Sequence, residues 1–176
     1  METSPVIHRK KLICIDIISM VLMILFDQWT KNLAVAHLKG KESISLIKGW
    51  LELTYVENRG AAFGILQNQR ILLLTTTIIL LIVCTVALIK LKPIKKNIPY
   101  HILIVLVIAG GIGNMIDRML LGYVVDFVYF SIIDFPVFNV ADCYITGAEI
   151  FLILFFLCTM FKEGKEVSET NGETNE

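Results

Sequence analysis

The sequence has little charge. Of its 176 residues, 18% are Asp, Glu, Lys or Arg, whereas 56% are hydrophobic. Soluble globular chains carry about 25% charged and about 45–50% apolar residues, so this chain has more apolar side chains than a small water-exposed domain can bury, and such a domain is excluded. The 16 basic and 16 acidic residues give a formal net charge of zero. That balance argues against a basic surface for nucleic acid, and no nucleic-acid partner is expected.

The sequence also lacks the motifs of the commonest metal and nucleophile sites. Its four cysteines include no C-x-x-C pair, and its three histidines form no H-E-x-x-H pattern, so no metal site is predicted. Cysteines within apolar runs ordinarily behave as small hydrophobic residues. A G-x-S-x-G elbow and a phosphate-binding G-x-x-x-x-G-K-S/T loop are absent too. Neither serine-hydrolase nor nucleotide chemistry therefore has a signal in this sequence.

What the sequence has instead is four long apolar runs. Two of them, 71–89 and 143–161, contain 19 residues each, the first with no charged residue and the second with one acid. About 20 apolar residues cross a bilayer, so we predict spans at about 12–29, 71–89, 100–116 and 143–161. The third run is short and ends in glycines, so it crosses only if it packs against other helices. The first run also resembles a signal-peptide core, but Asp16 within it argues against cleavage.

The connection after the first span has a strand pattern. Within residues 43–55, apolar residues recur at near-alternate positions around Gly49, as in two short strands joined by a turn. We predict a membrane all-α core of four transmembrane helices, with a small extracytoplasmic β-sheet between spans one and two, at about 43–66. Residues 1–161 are expected to form a single integral-membrane domain. The polar segment 162–176 is predicted to be a disordered cytoplasmic tail.

Basic residues near the span ends predict the orientation, because they are retained on the cytoplasmic side. They precede span one, crowd the connection between spans two and three, and follow span four, whereas only Arg118 lies between spans three and four. Six more are spread over the long connection between spans one and two, which counts against this orientation. Their lower density still favours cytoplasmic termini. The basic residues that carry the prediction are Arg9, Lys10, Lys11, Lys90, Lys92, Lys95, Lys96, Lys162 and Lys165.

Acidic side chains stand out against this apolar background. A charge at the centre of a membrane helix costs about 2.5–3.5 kcal/mol on insertion scales, so acids at membrane depth default to a functional interpretation. Lys31 follows Asp27 by one helical turn, which fits an ion pair anchoring a helix end as well as it fits a functional acid. Asp134 is most simply a turn residue. The acids in question are Asp16, Asp27, Asp117, Asp126, Asp134, Asp142 and Glu149.

A stripe of small and polar residues ends the third span. Gly110, Gly113, Asn114 and Asp117 fall at i, i+3, i+4 and i+7, so they share one helix face. Small residues there let a second helix approach closely, and the polar groups then point into the same interface. We predict a glycine-mediated seam that ends in a structural salt bridge, with Arg118 able to pair with a carboxylate.

Asp126 and Asp142 are the acids that best fit chemistry. Asp126 lies in the apolar segment V-V-D-F. Asp142 begins a second stripe, with Ile145, Thr146 and Glu149 at i+3, i+4 and i+7, which should face the bundle interior, so the two acids could meet at one membrane depth. Two neighbouring carboxylates share one proton, which leaves one as a base and the other as an acid. Such a pair can activate a water molecule to attack a peptide carbonyl, as in an aspartic protease.

Two other classes of protein stay open at this point. Acids lining the proton path of an ion or solute carrier would look similar. Carriers commonly have repeated halves, however, and this chain pairs a long strand-like first outer connection with a shorter acidic second one. A membrane adaptor without enzymatic activity would not need two acids in apolar settings.

Five blocks of the sequence belong together. They are D-Q-W-T-K (27–31), E-N-R-G-A-A-F-G (57–64), G-N-M-I-D-R (113–118), V-V-D-F (124–127) and F-N-V-A-D (138–142). Together they resemble the signature motifs of lipoprotein signal peptidase, the type II signal peptidase of bacteria. One block alone is a weak signal, whereas five in the family's order and spacing are strong. The resemblance covers nearly the whole chain.

The resemblance implies an aspartic endopeptidase in the bacterial cytoplasmic membrane that removes the signal peptide of diacylglyceryl-modified prolipoproteins. It implies cleavage just before the lipidated cysteine, with membrane lipid and this substrate as partners and with neither a metal nor an organic cofactor. We expect a monomer with its active site near the outer surface. By motif, the catalytic pair is Asp126 and Asp142, the supporting and substrate-binding positions are Asn58, Gly60, Asn114, Arg118 and Asn139, and the structural polar positions are Asp27, Lys31 and Asp117.

Overall fold

The chain folds into four long helices and a small sheet. The computed structural model describes residues 8–61 and 64–173. Each of the four helices within these residues contains a stretch long and apolar enough to cross a membrane, which confirms the predicted helical core. The helices are α1 (Arg9–Leu38), α2 (Arg70–Lys90), α3 (Ile98–Leu120) and α4 (Val140–Glu173), and the strands are β1 (Ile44–Ile47), β2 (Leu51–Asn58) and β3 (Val124–Tyr129).

The helices extend beyond the predicted spans. Helix α1 continues past residue 29 to Leu38, because Lys31, Ala34 and Leu38 are buried against other elements. Helix α3 begins with a proline in its first turn, where the missing N–H has no intrahelical partner to lose. Helix α4 continues to Glu173, so a helix occupies residues 162–173, where composition predicts a disordered tail. Lys and Glu are good helix formers, and no proline interrupts this segment.

The sheet has a third strand that the sequence did not predict. Its order is β1-β2-β3, and both pairings are antiparallel. The predicted segment 43–66 contains β1 and β2, joined by a turn at Gly49 with φ +74°; residues 62–63 of that segment lie outside the described residues. Strand β3 instead comes from the connection between α3 and α4. Its first four residues are all buried, so it has none of the alternation by which a half-exposed strand is predicted.

Strand β3 is held against the end of α1. Val125 and Phe127 form a buried apolar cluster with Ala34 and Leu38. Because successive side chains of a strand point to opposite faces, Asp126 between them points away from α1. The packing of one face of β3 therefore fixes the direction of the acid on the other.

Helix α3 is the centre of the bundle, since α1, α2 and α4 each pack against it. The outward faces of the other helices expose large apolar side chains, among them Leu22, Val83 and Phe156, each about 60% exposed. This is typical of helices that face lipid. The predicted seam is present as well, with Gly110, Gly113, Asn114 and Asp117 all buried.

Helix α4 presents a different face to the bundle from the one predicted. The stripe from Asp142 to Glu149 was expected to face inward, yet Thr146 and Glu149 are exposed. Ala141 and Ala148 are buried instead, at 0% and 1% exposure. Small side chains permit the closest helix approach, which turns the alanine face inward and leaves Asp142 at its edge.

The contact between α3 and α4 generates a first prediction. A Cβ added at Gly110 would lie 2.5 Å from the Ala141 carbonyl oxygen and 2.7 Å from Ile145 Cγ1. Gly110→Ala must therefore push the two helices apart, and overpacking of this kind costs about 1–3 kcal/mol. We expect a lower thermal unfolding midpoint for the detergent-solubilised protein. The matched control is Gly147→Ala on α4, where a Cβ meets nothing within 4 Å; equal midpoints for the two variants would contradict the prediction.

Candidate active site

Polar side chains from four elements meet at the end of the bundle that carries the sheet. Asn58 ends β2, Asp126 lies within β3, Asn114 lies near the end of α3, and Asn139 and Asp142 lie at the start of α4. Three of these side chains are buried: Asn114 is 7% exposed, Asp126 is 2% exposed and Asn139 is 0% exposed. Except for Asn139 and Asp142, these residues are far apart in sequence, and the fold brings them together.

The Asp126 carboxylate is held by two side-chain amides. Asn58 Nδ2 donates to Asp126 Oδ2 at 2.9 Å, and Asn139 Nδ2 donates to Asp126 Oδ1 at 2.6 Å. Each oxygen of the acid thus has its own donor. Because both donors belong to short side chains on separate elements, the carboxylate has little freedom to rotate.

Asp142 is fixed by the N-terminus of α4. Asn139 precedes the first helical residue, and its Oδ1 accepts the Asp142 backbone N–H at 3.1 Å, while Asp142 Oδ2 accepts the Asn139 backbone N–H at 3.1 Å. This reciprocal pair is a capping box built with aspartate. The other oxygen, Asp142 Oδ1, accepts Asn114 Nδ2 at 2.8 Å. The helix N-terminus also favours a negative charge at this position.

Two asparagines connect the acids. Asn139 Nδ2 donates both to Asp126 Oδ1 and to Asn114 Oδ1, the latter at 3.1 Å. Asn114 in turn donates to Asp142. The amides therefore set the placement of the two carboxylates relative to each other.

Burial changes the acidity of Asp126. Removal from water raises the pKa of Asp126 to about 7, and the negative charge of Asp142 raises it further toward that value, against the opposing effect of the Asn58 and Asn139 amides. A carboxyl group with this pKa is about half protonated at pH 7 and mostly protonated below it. Such a group, beside a second carboxylate, has the form that acid and base catalysis requires.

A buried ion network lies behind this pair. Lys31 Nζ is 3.0 Å from Asp27 Oδ2 and 3.2 Å from Asp117 Oδ2. It also donates to Asn114 Oδ1 at 2.9 Å. Asp27 and Lys31 thus form the ion pair that their spacing fitted, and both side chains are buried, at 0% and 3% exposure.

Among the residues that the structure describes, Arg118 has no carboxylate within salt-bridge distance, in contrast to the expectation. Its Nη2 donates to the Gly60 carbonyl oxygen at 2.8 Å, while the Gly60 N–H donates to Asn58 Oδ1 at 2.9 Å. The salt bridge at the end of the seam is made by Lys31, whose ammonium lies 3.2 Å from Asp117 Oδ2. A Cβ at Gly60 would lie 2.5 Å from the Ile65 carbonyl oxygen, so this tight turn requires glycine. Ala62 and Phe63, in the same block, lie outside the described residues.

Sequence reasoning missed the contacts of Gln28 and the pairing of Asp16 with His101. Gln28 Nε2 donates to Asp27 Oδ2, the Gly113 carbonyl and Asp117 Oδ1, at 3.2, 3.1 and 3.0 Å; its place beside Asp27 in the first block was the available signal. Asp16 Oδ2 lies 2.9 Å from His101 Nδ1 near the other end of α1. Within residues 8–61 and 64–173, no group of three or more His, Cys, Asp or Glu side chains is arranged to hold a metal ion.

The site can be compared with known proteins. A family model described as signal peptidase (SPase) II matches residues 19–158. The chain belongs to the signal peptidase II family. It is 44% identical over 138 residues to a lipoprotein signal peptidase from Streptococcus thermophilus (strain CNRZ 1066), covering 78% of this chain and 88% of that protein. A lipoprotein signal peptidase from Caldanaerobacter subterraneus subsp. tengcongensis is 44% identical over 137 residues, covering 77% and 91%.

Two solved structures, both described as bacterial membrane enzymes, have a similar fold. One has a TM-score of 0.78 and 33% identity, and the match covers 90% of this chain and 94% of the other. The second has a TM-score of 0.73 and 37% identity, covering 82% and 94%. Signal peptidase II is a family of peptidases, and this member is a multi-pass membrane protein. The resemblance inferred from the five blocks is thereby confirmed.

Proposed function

We propose that this chain is an intramembrane aspartic endopeptidase that removes the signal peptide from diacylglyceryl-modified bacterial prolipoproteins. The cut falls just before the lipidated cysteine, and the chemistry needs neither a metal nor an organic cofactor. The observation that carries the proposal is the joined pair of Asp126 and Asp142, in a chain of the signal peptidase II family. The relatives' name, lipoprotein signal peptidase, supports the substrate class.

In the proposed mechanism the two acids share one proton. Asp126, with a pKa of about 7, holds it, while Asp142 at the N-terminus of α4 is the base. Asp142 takes a proton from a water molecule, whose oxygen attacks the scissile carbonyl carbon. Asp126 donates a hydrogen bond to the carbonyl oxygen and polarises it. Collapse of the tetrahedral intermediate breaks the C–N bond, and the departing amine receives a proton from the pair.

The supporting residues orient the acids and the substrate. Asn114 and Asn139 hold the carboxylates through the hydrogen bonds described above. Arg118 holds the turn at Gly60, and that turn orients the Asn58 amide toward Asp126. At Gly60 the space that a side chain would need is filled by the Ile65 carbonyl and the Gln67 side chain, so the proposed part of Gly60 is to keep this turn closed while it orients Asn58.

We further propose that residues 1–161 form one peptidase domain, with both termini in the cytoplasm and the site near the outer surface. Arg9 Nη2 donates to the Ile89 carbonyl at 2.6 Å, so the basic start of α1 lies beside the basic end of α2. That end of the bundle is opposite the sheet, and positive residues favour the cytoplasmic side. All of the proposed site comes from one chain, so it needs no second copy.

The orientation can be tested with a reporter fused after Lys95, in the connection between α2 and α3. We expect a cytoplasmic reporter enzyme to be active there and a periplasmic one to be inactive, because this connection lies at the basic end. The same pair fused after Lys48, in the β1–β2 turn, should give the opposite result. A periplasmic signal from the Lys95 fusion would contradict the proposed orientation.

The catalytic pair is tested by Asp126→Asn and Asp142→Asn. Each substitution removes the acid or the base while it keeps the size of the side chain, and a general acid or base contributes about 10²–10⁴-fold to rate. We expect each variant to lose at least about 100-fold in signal-peptide release, followed by mass spectrometry with a purified diacylglyceryl prolipoprotein. The matched control is Asp134→Asn, in an exposed left-handed turn, which should cleave normally.

Two outcomes would contradict this proposal. Normal turnover by either folded variant would remove that aspartate from the catalytic pair. Full turnover of a precursor without the diacylglyceryl group would refute the lipid-modified substrate class, because the lipid would then make no difference to recognition.

The acidity of Asp126 predicts the pH dependence. Because Asp126 must hold the proton and its pKa is about 7, kcat/KM should be highest below that pH and should fall as pH rises through it. The fall should approach about tenfold per pH unit once deprotonation is complete. Asp134→Asn should have the same profile as the unaltered chain. A kcat/KM that stays constant from about pH 6 to about pH 9 would contradict the assignment of Asp126 as the acid.

A further inference from the structure

Glu149 lies on the side of α4 that faces away from the bundle, at the middle of the span. The apolar stretch of this helix runs from Val140 to Cys158, so Glu149 is about 14 Å from either end at 1.5 Å per residue. Its neighbour Ala148 is buried, whereas Glu149 is exposed. Among the residues that the structure describes, none forms a hydrogen bond or an ion pair with the Glu149 carboxyl group.

An acid in this place is costly without a partner. A charge at the centre of a membrane helix costs about 2.5–3.5 kcal/mol on insertion scales, and acids within spans therefore almost always face the bundle interior or a water-filled cavity. The bundle face of α4 is occupied by other groups, among them Ala141 and Ala148, and the Tyr144 hydroxyl there donates to the Met23 carbonyl of α1. A partner for Glu149 must come from outside the described chain.

A row of side chains follows Glu149 along the same outward side of the helix. Thr146, Ile150, Ile153 and Leu157 are spaced by four, three and four residues, which is the spacing by which one helix packs along another. All four are exposed, and Glu149 lies one turn after Thr146 at the edge of the row. We call Thr146, Glu149, Ile150, Ile153 and Leu157 the outer seam.

We propose that the outer seam is the docking surface for a second copy of this chain, with the two α4 helices parallel and the two Glu149 carboxyl groups facing each other. Copies inserted in the same direction place Glu149 at one depth by symmetry. A carboxyl group in hydrocarbon takes up a proton instead of staying charged, and it then has both a donor and an acceptor. Two such groups satisfy each other.

This self-complementarity is the reason to choose a second copy over another membrane protein. A different partner must bring its own hydrogen-bonding group to the middle of the bilayer, where such groups are rare. A second copy brings one in every case, and two-fold pairs of identical chains are the commonest oligomers. The dimer departs from the monomer expected from the resemblance. It does not alter the proposed active site, because the outer seam lies on the other side of α4 from Ala141 and Ala148.

The association can be measured by energy transfer in lipid vesicles. Full-length protein fused at its C-terminus to a donor or an acceptor fluorescent protein is mixed and then diluted with lipid. The unaltered chain should transfer energy and lose the transfer on dilution. Glu149→Leu should raise the dissociation constant about 5- to 30-fold, as expected for loss of hydrogen bonds between membrane helices. Glu149→Gln should restore association, because an amide also has a donor and an acceptor.

Two controls separate the outer seam from lipid-facing helix surfaces in general. Thr85→Leu removes a polar side chain from α2 whose hydroxyl already donates to the Leu81 carbonyl, so it should leave the dissociation constant unchanged. In native membranes, oxidation of Ile153→Cys should link two copies beyond the level that the four natural cysteines give. Val83→Cys on α2 should not, although Val83 and Ile153 are 59% and 58% exposed.

Three outcomes would overturn the proposal. The first is an unaltered chain that stays monomeric at every dilution, which would leave Glu149 to a different membrane protein. The second is Glu149→Leu associating as well as the unaltered chain, and the third is Val83→Cys cross-linking as well as Ile153→Cys. Signal-peptide release by Glu149→Leu should stay normal, which shows that the variant folds.

Discussion

The ammonium group of Lys31 is the constraint on which the rest of the structure depends. It lies about 3 Å from Asp27 and from Asp117, and all three side chains are nearly excluded from solvent. Separation of these charges in such surroundings would cost several kcal/mol, so α1 and α3 are held in the arrangement that keeps them together. Because the acids also accept backbone N–H groups from β3 and α4, the constraint reaches both elements that carry the candidate pair.

The glycine seam and the ion network depend on each other. Apolar side chains provide little driving force for the association of membrane helices, because lipid is as apolar as they are. The arrangement of the helices is determined instead by close packing and by polar contacts. A Cβ at Gly113 would lie 2.6 Å from Asp27 Oδ2, so only glycine lets α3 approach α1 closely enough for the network to form. Gly110 permits the same approach by α4. The stripe of small residues is therefore part of the site and not only of the bundle.

Much of the fold was predictable from local patterns, and so were most of the polar residues that meet at the site. The four helices were predicted from runs of apolar residues, and the turn at Gly49 was predicted from the alternation of apolar residues around a glycine. The five sequence blocks contain most of the polar residues that meet at the site. Strand β3 was missed because both of its faces are buried, which removes the alternation that identifies a strand. The predicted carboxylate partner of Arg118 was wrong: its charge favours a carboxylate, whereas its described partner is the Gly60 carbonyl. Gln28 was passed over because an amide has no charge to mark it in an apolar sequence.

The sequence by itself determined that this is a membrane protein of four spans, and it pointed to the few acids that lie in apolar surroundings. Hydropathy depends on neighbouring residues and motif order depends on the sequence alone, so both can be read without knowledge of the fold. Only the tertiary structure decided which charges meet. Asp126 and Asp142 come together because β3 joins a sheet that begins between α1 and α2, and because α4 starts beside it. Lys31 pairs with Asp27 and Asp117 because these two acids are buried beside it. Their burial and their distance from Lys31 are set only when the helices pack.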